Sequence, residues 1–210
     1  VNNSWGYANP ADDTFRPIIQ VLRAAGVAPV FASGNPRAGP GSIGSPASAP
    51  EAIAVGSTTS TDNLSFFSGQ GPSFWPGEQK PELTAPGSRV RSSVGTSSYD
   101  SYSGTSMAAP HVAGLIALLV SADILDGERD FSVDELERFM EISALDLGEP
   151  GPDDRYGYGR IDGWAAVQLA LNAGYLRGRI LDQEYNRPLG HGLLQAHNIE
   201  MDWTFTTRAD

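Results

Sequence analysis

Ser103-Gly104-Thr105-Ser106-Met107-Ala108-Ala109-Pro110-His111-Val112-Ala113-Gly114 is the stretch that decides the fold. A run without charge follows it through Leu115, Ile116, Ala117, Leu118 and Leu119. Small and apolar residues on every side predict a helix of several turns that is buried all round. Pro110 is expected in its first turn, where a missing N–H is no loss. Ser106 then stands at the helix start. Backbone N–H groups there lack partners, and the helix dipole favours negative charge. A serine so placed can act as a nucleophile, because the helix end can stabilise the oxyanion that its attack creates. The ordinary alternative is an N-cap serine on a core helix, which is the commoner meaning of serine at that position.

The rest of the composition narrows the class. The chain has 210 residues, enough for one good core and a second small unit. Its hydrophobic share of 40% and charged share of 19% fit a globular protein rather than a disordered one. A net charge of −11 argues against a nucleic-acid partner, since phosphate binding wants a basic face. With no cysteine, disulfides, thiol catalysis and thiolate metal sites are excluded. No uninterrupted apolar run reaches the roughly 18 residues of a membrane span. The opening Val1-Asn2-Asn3-Ser4-Trp5 reads as the inside of a strand, and the close at Thr204-Phe205-Thr206-Thr207 reads as a strand too. The expectation is a piece of a longer protein, cut at both ends.

Ahead of the serine, the periodicity is that of alternating strands and helices. Phe15, Ile18, Ile19, Leu22 and Ala25 recur at helical steps and predict a helix over 12–26, with Asp12 and Asp13 at its positive end. Buried strands are predicted over 27–32 and 52–56. A helix between apolar strands points to a parallel α/β sheet. Asn35 follows one of these strands at once, where such sheets place their sites. Its side-chain NH₂ is a neutral donor suited to a developing oxyanion. The bland alternative is a turn asparagine. Past the serine, Ser132-Val133-Asp134-Glu135 is a capping box opening a helix over 132–145, and a last helix is predicted over 163–172.

The string from Gly104 to Gly114 resembles the nucleophile segment of the subtilisin-like serine peptidases, the subtilases. Phe31-Ala32-Ser33-Gly34-Asn35, Ile43-Gly44-Ser45-Pro46, Lys80-Pro81-Glu82-Leu83-Thr84-Ala85-Pro86-Gly87 and Tyr156-Gly157-Tyr158-Gly159-Arg160-Ile161-Asp162 resemble further family segments in the family's order. The resemblance implies an α/β fold, a mostly parallel sheet flanked by helices, incomplete on its N-terminal side. It implies Ser106 as nucleophile and Asn35 as oxyanion donor. Ser4, Trp5 and Gly6 would line the substrate groove. Ala32, Ser33 and Gly34 would form a pocket wall, and Gly44 a floor left open for large apolar or aromatic side chains. Trp5 departs from the smaller aliphatic residue common in the family, and a plain core or surface tryptophan is its alternative.

In the family, the catalytic Asp and His lie upstream of the part seen here. His111 lies five residues beyond Ser106, which is not a facing spacing on a helix. It is read as a structural helix histidine, and His191 and His197 are rejected as the base. The implied function is a serine endopeptidase acting on polypeptides through an acyl-enzyme, extracellular, with this chain inactive alone and dependent on the missing N-terminal part of its domain. The alternative is a non-catalytic protein-binding module on the same scaffold; an esterase is disfavoured, since Gly-x-Ser-x-Gly is absent. No cofactor is needed for the chemistry and no metal ligand is assigned. The family's habit of binding calcium at loops allows structural calcium, with Glu82 as a contributor; a solvated surface acid is its alternative. The peptidase portion is expected over 1–173. Residues 174–210 alternate like strands at 176–182 and 192–196. They resemble the start of a carboxypeptidase regulatory-like or immunoglobulin-like β-sandwich.

Overall fold

Strands β1 (Asn2–Asn3), β2 (Val30–Ala32), β3 (Ile53–Thr58) and β4 (Leu83–Pro86) pair in that order, every pair parallel, in a computed structural model of the chain. The structure describes residues 1–36, 39–124 and 131–172, and the backbone of 193–198 and 203–208. The chain divides into two units, Val1–Asn172 and Ala173–Asp210. β2 and β3 are buried along their whole length, as expected of parallel strands covered on both faces. Their side chains alternate. Val30, Ala32, Ile53, Val55 and Leu83 pack with helix α2 (Thr105–Asp123), helix α3 (Val133–Ser143) and helix α4 (Gly163–Leu171). Phe31, Ala52 and Ala54 pack on the other side with Ile19 of helix α1 (Arg16–Ala24). The sheet is therefore flanked by helices, as the sequence predicts.

α2 is the central helix, and its burial is one-sided. Ala108, Ala109, Val112, Leu115, Ile116 and Leu119 are buried, while Pro110, His111, Gly114, Ala117 and Leu118 are exposed. The expectation of burial all round therefore fails on the outer face. By length and composition α2 is also long and apolar enough to cross a membrane, a test that core helices pass as well. Pro110 lies at the sixth position, not in the first turn. An interior proline costs about 3 kcal/mol or more. Burying Val112, Leu115, Ile116 and Leu119 contributes roughly 1.5–3 kcal/mol each, so packing outweighs the proline.

Local signals set the remaining elements. Ser132 accepts from the N–H of Glu135, and the Glu135 carboxylate accepts from the N–H of Ser132, which completes the capping box of α3. Asp162 caps α4. α1 starts at Arg16 rather than 12, because Asp12 accepts from the N–H of Thr14 and holds that stretch in a turn. A hairpin of β5 (Val90–Val94) and β6 (Ser98–Tyr102), largely exposed, leads into α2. In the second unit, β7 (Leu193–Asn198) pairs antiparallel with β8 (Trp203–Arg208). The strand expected over 176–182 lies outside the described residues.

Candidate active site

Where β2 ends and α2 begins, a cavity of about 300 Å³ opens to solvent. Carboxyl ends of parallel strands and amino ends of helices both favour ligand sites. Every residue singled out from the sequence lines this cavity: Ser4, Trp5 and Gly6 on one side, Ala32, Ser33, Gly34 and Asn35 on another, with Gly44 and Ser106 between them. Tyr7, Ser42 and Thr105 line it as well and were not singled out. Among the described residues, none of the lining side chains carries a charge.

Two donors stand open at the helix end. The Oδ1 of Asn35 accepts from the N–H of Thr105 at 2.9 Å and from its hydroxyl at 3.0 Å. The Thr105 hydroxyl in turn accepts from the N–H of Gly34 at 3.2 Å. Both Thr105 donors meet one end of the amide, which assigns the other end, Nδ2, to the open side. Among the described residues, Nδ2 has no acceptor. The N–H of Ser106 also lacks one, because α2 starts at Thr105 and offers no carbonyl four residues back. Thr105 is fully buried, so this arrangement is held from inside. Its place in the sequence, directly before Ser106, is the signal that would have found it.

Pro110 shapes the site from the far side of the turn. Lacking an N–H, it cannot satisfy the Ser106 carbonyl. The hydroxyl of Ser4 donates to that carbonyl at 3.2 Å and ties the end of β1 to α2. The Ser106 hydroxyl has no hydrogen-bond partner among the described residues. His111 is tied to its own helix, its Nδ1 lying 2.8 Å from the Met107 carbonyl. His197 lies in the second unit and His191 outside the described residues.

Trp5 is packed and open at once. Its ring meets Phe15, Phe31 and Tyr7 edge-on at 5.0, 5.7 and 6.1 Å, yet 44% of the residue is exposed. The space left by Gly44 is taken by backbone. A Cβ there would collide with the carbonyl of Tyr7, whose N–H donates to Ser45 at 2.7 Å. The backbone of Tyr7 and Ala8 thus leaves room for glycine alone at position 44, which still lines the cavity.

Glu82 is not a solvated acid. It is buried, with one oxygen on the Lys80 ammonium and the other on the Ala54 N–H at 2.7 Å. Lys80, fully buried, also donates to the Ala52 carbonyl at 2.6 Å. Among the described residues, no group of three or more His, Asp or Glu is placed to hold a metal ion.

The family model for the subtilase family matches residues 1–159. The chain belongs to the subtilases. It is 41% identical over 181 residues to bacillopeptidase F of Bacillus subtilis (strain 168), which covers 82% of this chain and 12% of that protein. It is 41% identical over 138 residues to the halolysin-like extracellular serine protease Nep of Natrialba magadii, covering 66% of this chain and 23% of that protein. Subtilisin Savinase of Lederbergia lenta matches at 34% over 167 residues, 80% of this chain and 55% of that protein. The chain thus spans between about a tenth and just over half the length of these relatives. Among solved structures, the prenylagaramide maturation protease PagA superposes with a TM-score of 0.68 at 26% identity, covering 80% of this chain and 60% of that one. A subtilase fold is therefore shown by sequence over residues 1–159 and by shape over 80% of the chain.

Proposed function

We propose that this chain supplies the nucleophile and the oxyanion site of a serine endopeptidase. The observation that carries the reading is the pair of open donors, Asn35 Nδ2 and the Ser106 N–H, beside a Ser106 hydroxyl without a partner. In the proposed reaction an extended polypeptide lies along Ser4, Trp5 and Gly6. The Ser106 oxygen forms a bond to the scissile carbonyl carbon as its proton passes to a histidine base. The carbonyl oxygen takes the negative charge between the two donors. The base returns the proton to the leaving amine as the C–N bond breaks, and water then hydrolyses the ester.

Neither the base nor the aspartate that orients it is assigned to this chain. Both are proposed to come from an upstream segment of the same domain. The exposed apolar outer face of α2, with Leu118 at 57% exposure, supports a further layer there. So does β1, a two-residue parallel strand with an open edge. Location outside the cell is proposed from the relatives, one of which is named as extracellular. Structural calcium, and a β-sandwich beginning within 174–210, belong to the same proposal.

A hydroxyl without a base also fits a second reading, a protein-binding module that keeps the scaffold and lacks catalysis. Labelling by a fluorophosphonate separates the two. Modification of Ser106 in the full-length gene product, with this chain unlabelled, is the outcome expected of the peptidase. An unlabelled full-length protein would leave the binding module.

A further inference from the structure

We infer that residues 65–71 form a strap that positions both oxyanion donors, with Ser65, Ser68 and Gly69 as its positioning residues; the inference rests on the peptidase reading. Residues 64–69 have no part in the chemistry above, and the Ser65 and Ser68 hydroxyls are buried with partners. The Ser65 hydroxyl lies 2.7 Å from that of Ser57 and 2.7 Å from that of Ser88. Ser57 and Ser65 are 0% and 1% exposed. The Ser68 hydroxyl accepts from the Ser57 N–H at 3.0 Å.

Each end of this strap meets one donor's support. At one end, the Gly69 N–H donates to the Gly34 carbonyl at 3.0 Å, one residue before Asn35. A Cβ on Gly69 would strike the carbonyl of Ser33, so the strap lies flat against that turn. At the other end, the hydroxyl chain reaches Ser88 and the adjoining Gly87. The Gly87 carbonyl accepts from the Gly104 N–H at 2.8 Å, two residues before Ser106. A Cβ on Gly87 would meet both the Ser57 hydroxyl and the Gly104 carbonyl. Next to Gly69, the Gln70 N–H donates to the Ser42 hydroxyl at 3.0 Å, and Ser42 lines the cavity. One segment thus braces the Asn35 turn, the Ser106 turn and the wall between them. Close-packed interiors transmit displacement rather than absorb it. Donor geometry at an oxyanion is sensitive to shifts of a few tenths of an ångström.

No residue of the strap itself lines the cavity, so the signature of Ser65 and its hydroxyl chain is a fall in kcat with KM held. In the full-length gene product, Ser65→Ala should lower kcat on a peptide amide about tenfold or more, with KM changed less than about twofold. Ser65→Thr, which keeps the hydroxyl, should restore most of it. In an Asn35→Ala background the Ser65→Ala loss should shrink, because residues that act through one group are not additive. Unchanged kcat, a change in KM alone, or full additivity would overturn the inference while leaving the peptidase reading intact. Amide hydrogen exchange on the same variants needs no activity and holds if the parent proves catalytically silent. Peptides covering 32–36 and 103–107 should lose protection together in Ser65→Ala. Loss in only one, or in neither, would remove the strap.

Discussion

Two polar clusters sit at opposite ends of the same parallel sheet, and they are built on opposite principles. At the amino ends of β3 and β4, Lys80 and Glu82 are buried and closed on each other: the carboxylate takes the ammonium and the Ala54 N–H, and the ammonium takes the Ala52 carbonyl besides. At the carboxyl end of β2, Asn35 is fixed by its oxygen alone, and its nitrogen faces open space with the Ser106 N–H. Saturation is what a buried polar group needs to persist. Groups fixed on one side and unmet on the other have something left to bind. The first cluster therefore belongs to folding and, under the proposed function, the second to chemistry, although both are polar groups at strand ends.

The closed cluster should break hardest. Removing one partner of a buried pair costs about 3–5 kcal/mol, because the other charge stays behind uncompensated. Glu82→Leu should lower the unfolding free energy by that much, read by urea denaturation. Lys80→Met with Glu82→Leu should recover most of it, since an apolar pair of similar volume is often neutral or better. A single variant within about 1 kcal/mol of the native protein would mean that the ammonium has other support. The pair also has a pH signature. Burial pushes the Glu82 carboxyl up to about 8 against the pull of Lys80, so the charged pair is complete above that value and a neutral carboxyl faces the ammonium below it. A carboxyl with a folded pKa above its unfolded value binds more protons when folded. Its contribution is complete below the unfolded value and falls as pH rises towards about 8. Urea midpoints should therefore drop from about pH 5 to about pH 9, and Glu82→Gln should flatten that slope.

The open cluster should respond in rate and not in stability. Asn35→Asp keeps an oxygen for the two Thr105 donors and removes the Nδ2 donor. Its charge sits at the amino end of α2, where the dipole favours it. In the full-length protein kcat should fall roughly 10²–10³-fold, about 2.7–4 kcal/mol, a figure taken over from loss of the equivalent donor in subtilisin. The unfolding free energy should move by less than about 1 kcal/mol. An equal loss of stability would place Asn35 with Lys80 and Glu82 as a structural residue.

The two clusters also differ in how far the sequence discloses them. Asn35 and Ser106, which line one cavity, could be singled out because each has a residue type suited to chemistry at an element boundary, the end of a strand in one case and the start of a helix in the other. The capping box at Ser132 and the buried strands β2 and β3 were legible for the same reason: their causes lie within a few residues. Thr105 and the 65–71 strap were not, since their partners are about 20–70 residues away and only the fold brings them together. Glu82 looked like a surface acid because its partner Lys80, two residues before it, gives no sign of burial. The outer face of α2 misled in the other direction. Composition reports an apolar face but not whether anything covers it.

The smallest effect is expected where saturation occurs at the surface. Arg16 grips Glu51 with both Nε and Nη2 at 2.9–3.1 Å, and Gln20 adds a bond at 2.7 Å. Every group is met, as in the Lys80 pair, but the two charged side chains keep 30% and 20% of their exposure. Partial burial pushes the Glu51 carboxyl up, yet Arg16 and Gln20 outweigh it and hold it down at about 2. Water and salt screen such a pair, so it contributes about 0.2–1 kcal/mol. Glu51→Gln keeps the shape and the stacking of Arg16 on Trp75 at 4.5 Å. It should lower stability within that range at low salt and by less at about 1 M NaCl. The sign with pH is opposite to that of Glu82. A depressed carboxyl contributes above its unfolded value, and the contribution is lost as pH falls towards about 2. A salt-independent loss as large as that of Glu82→Leu would mean that burial is not what separates the two pairs, and the contrast between closed and open clusters would then rest on Asn35 alone.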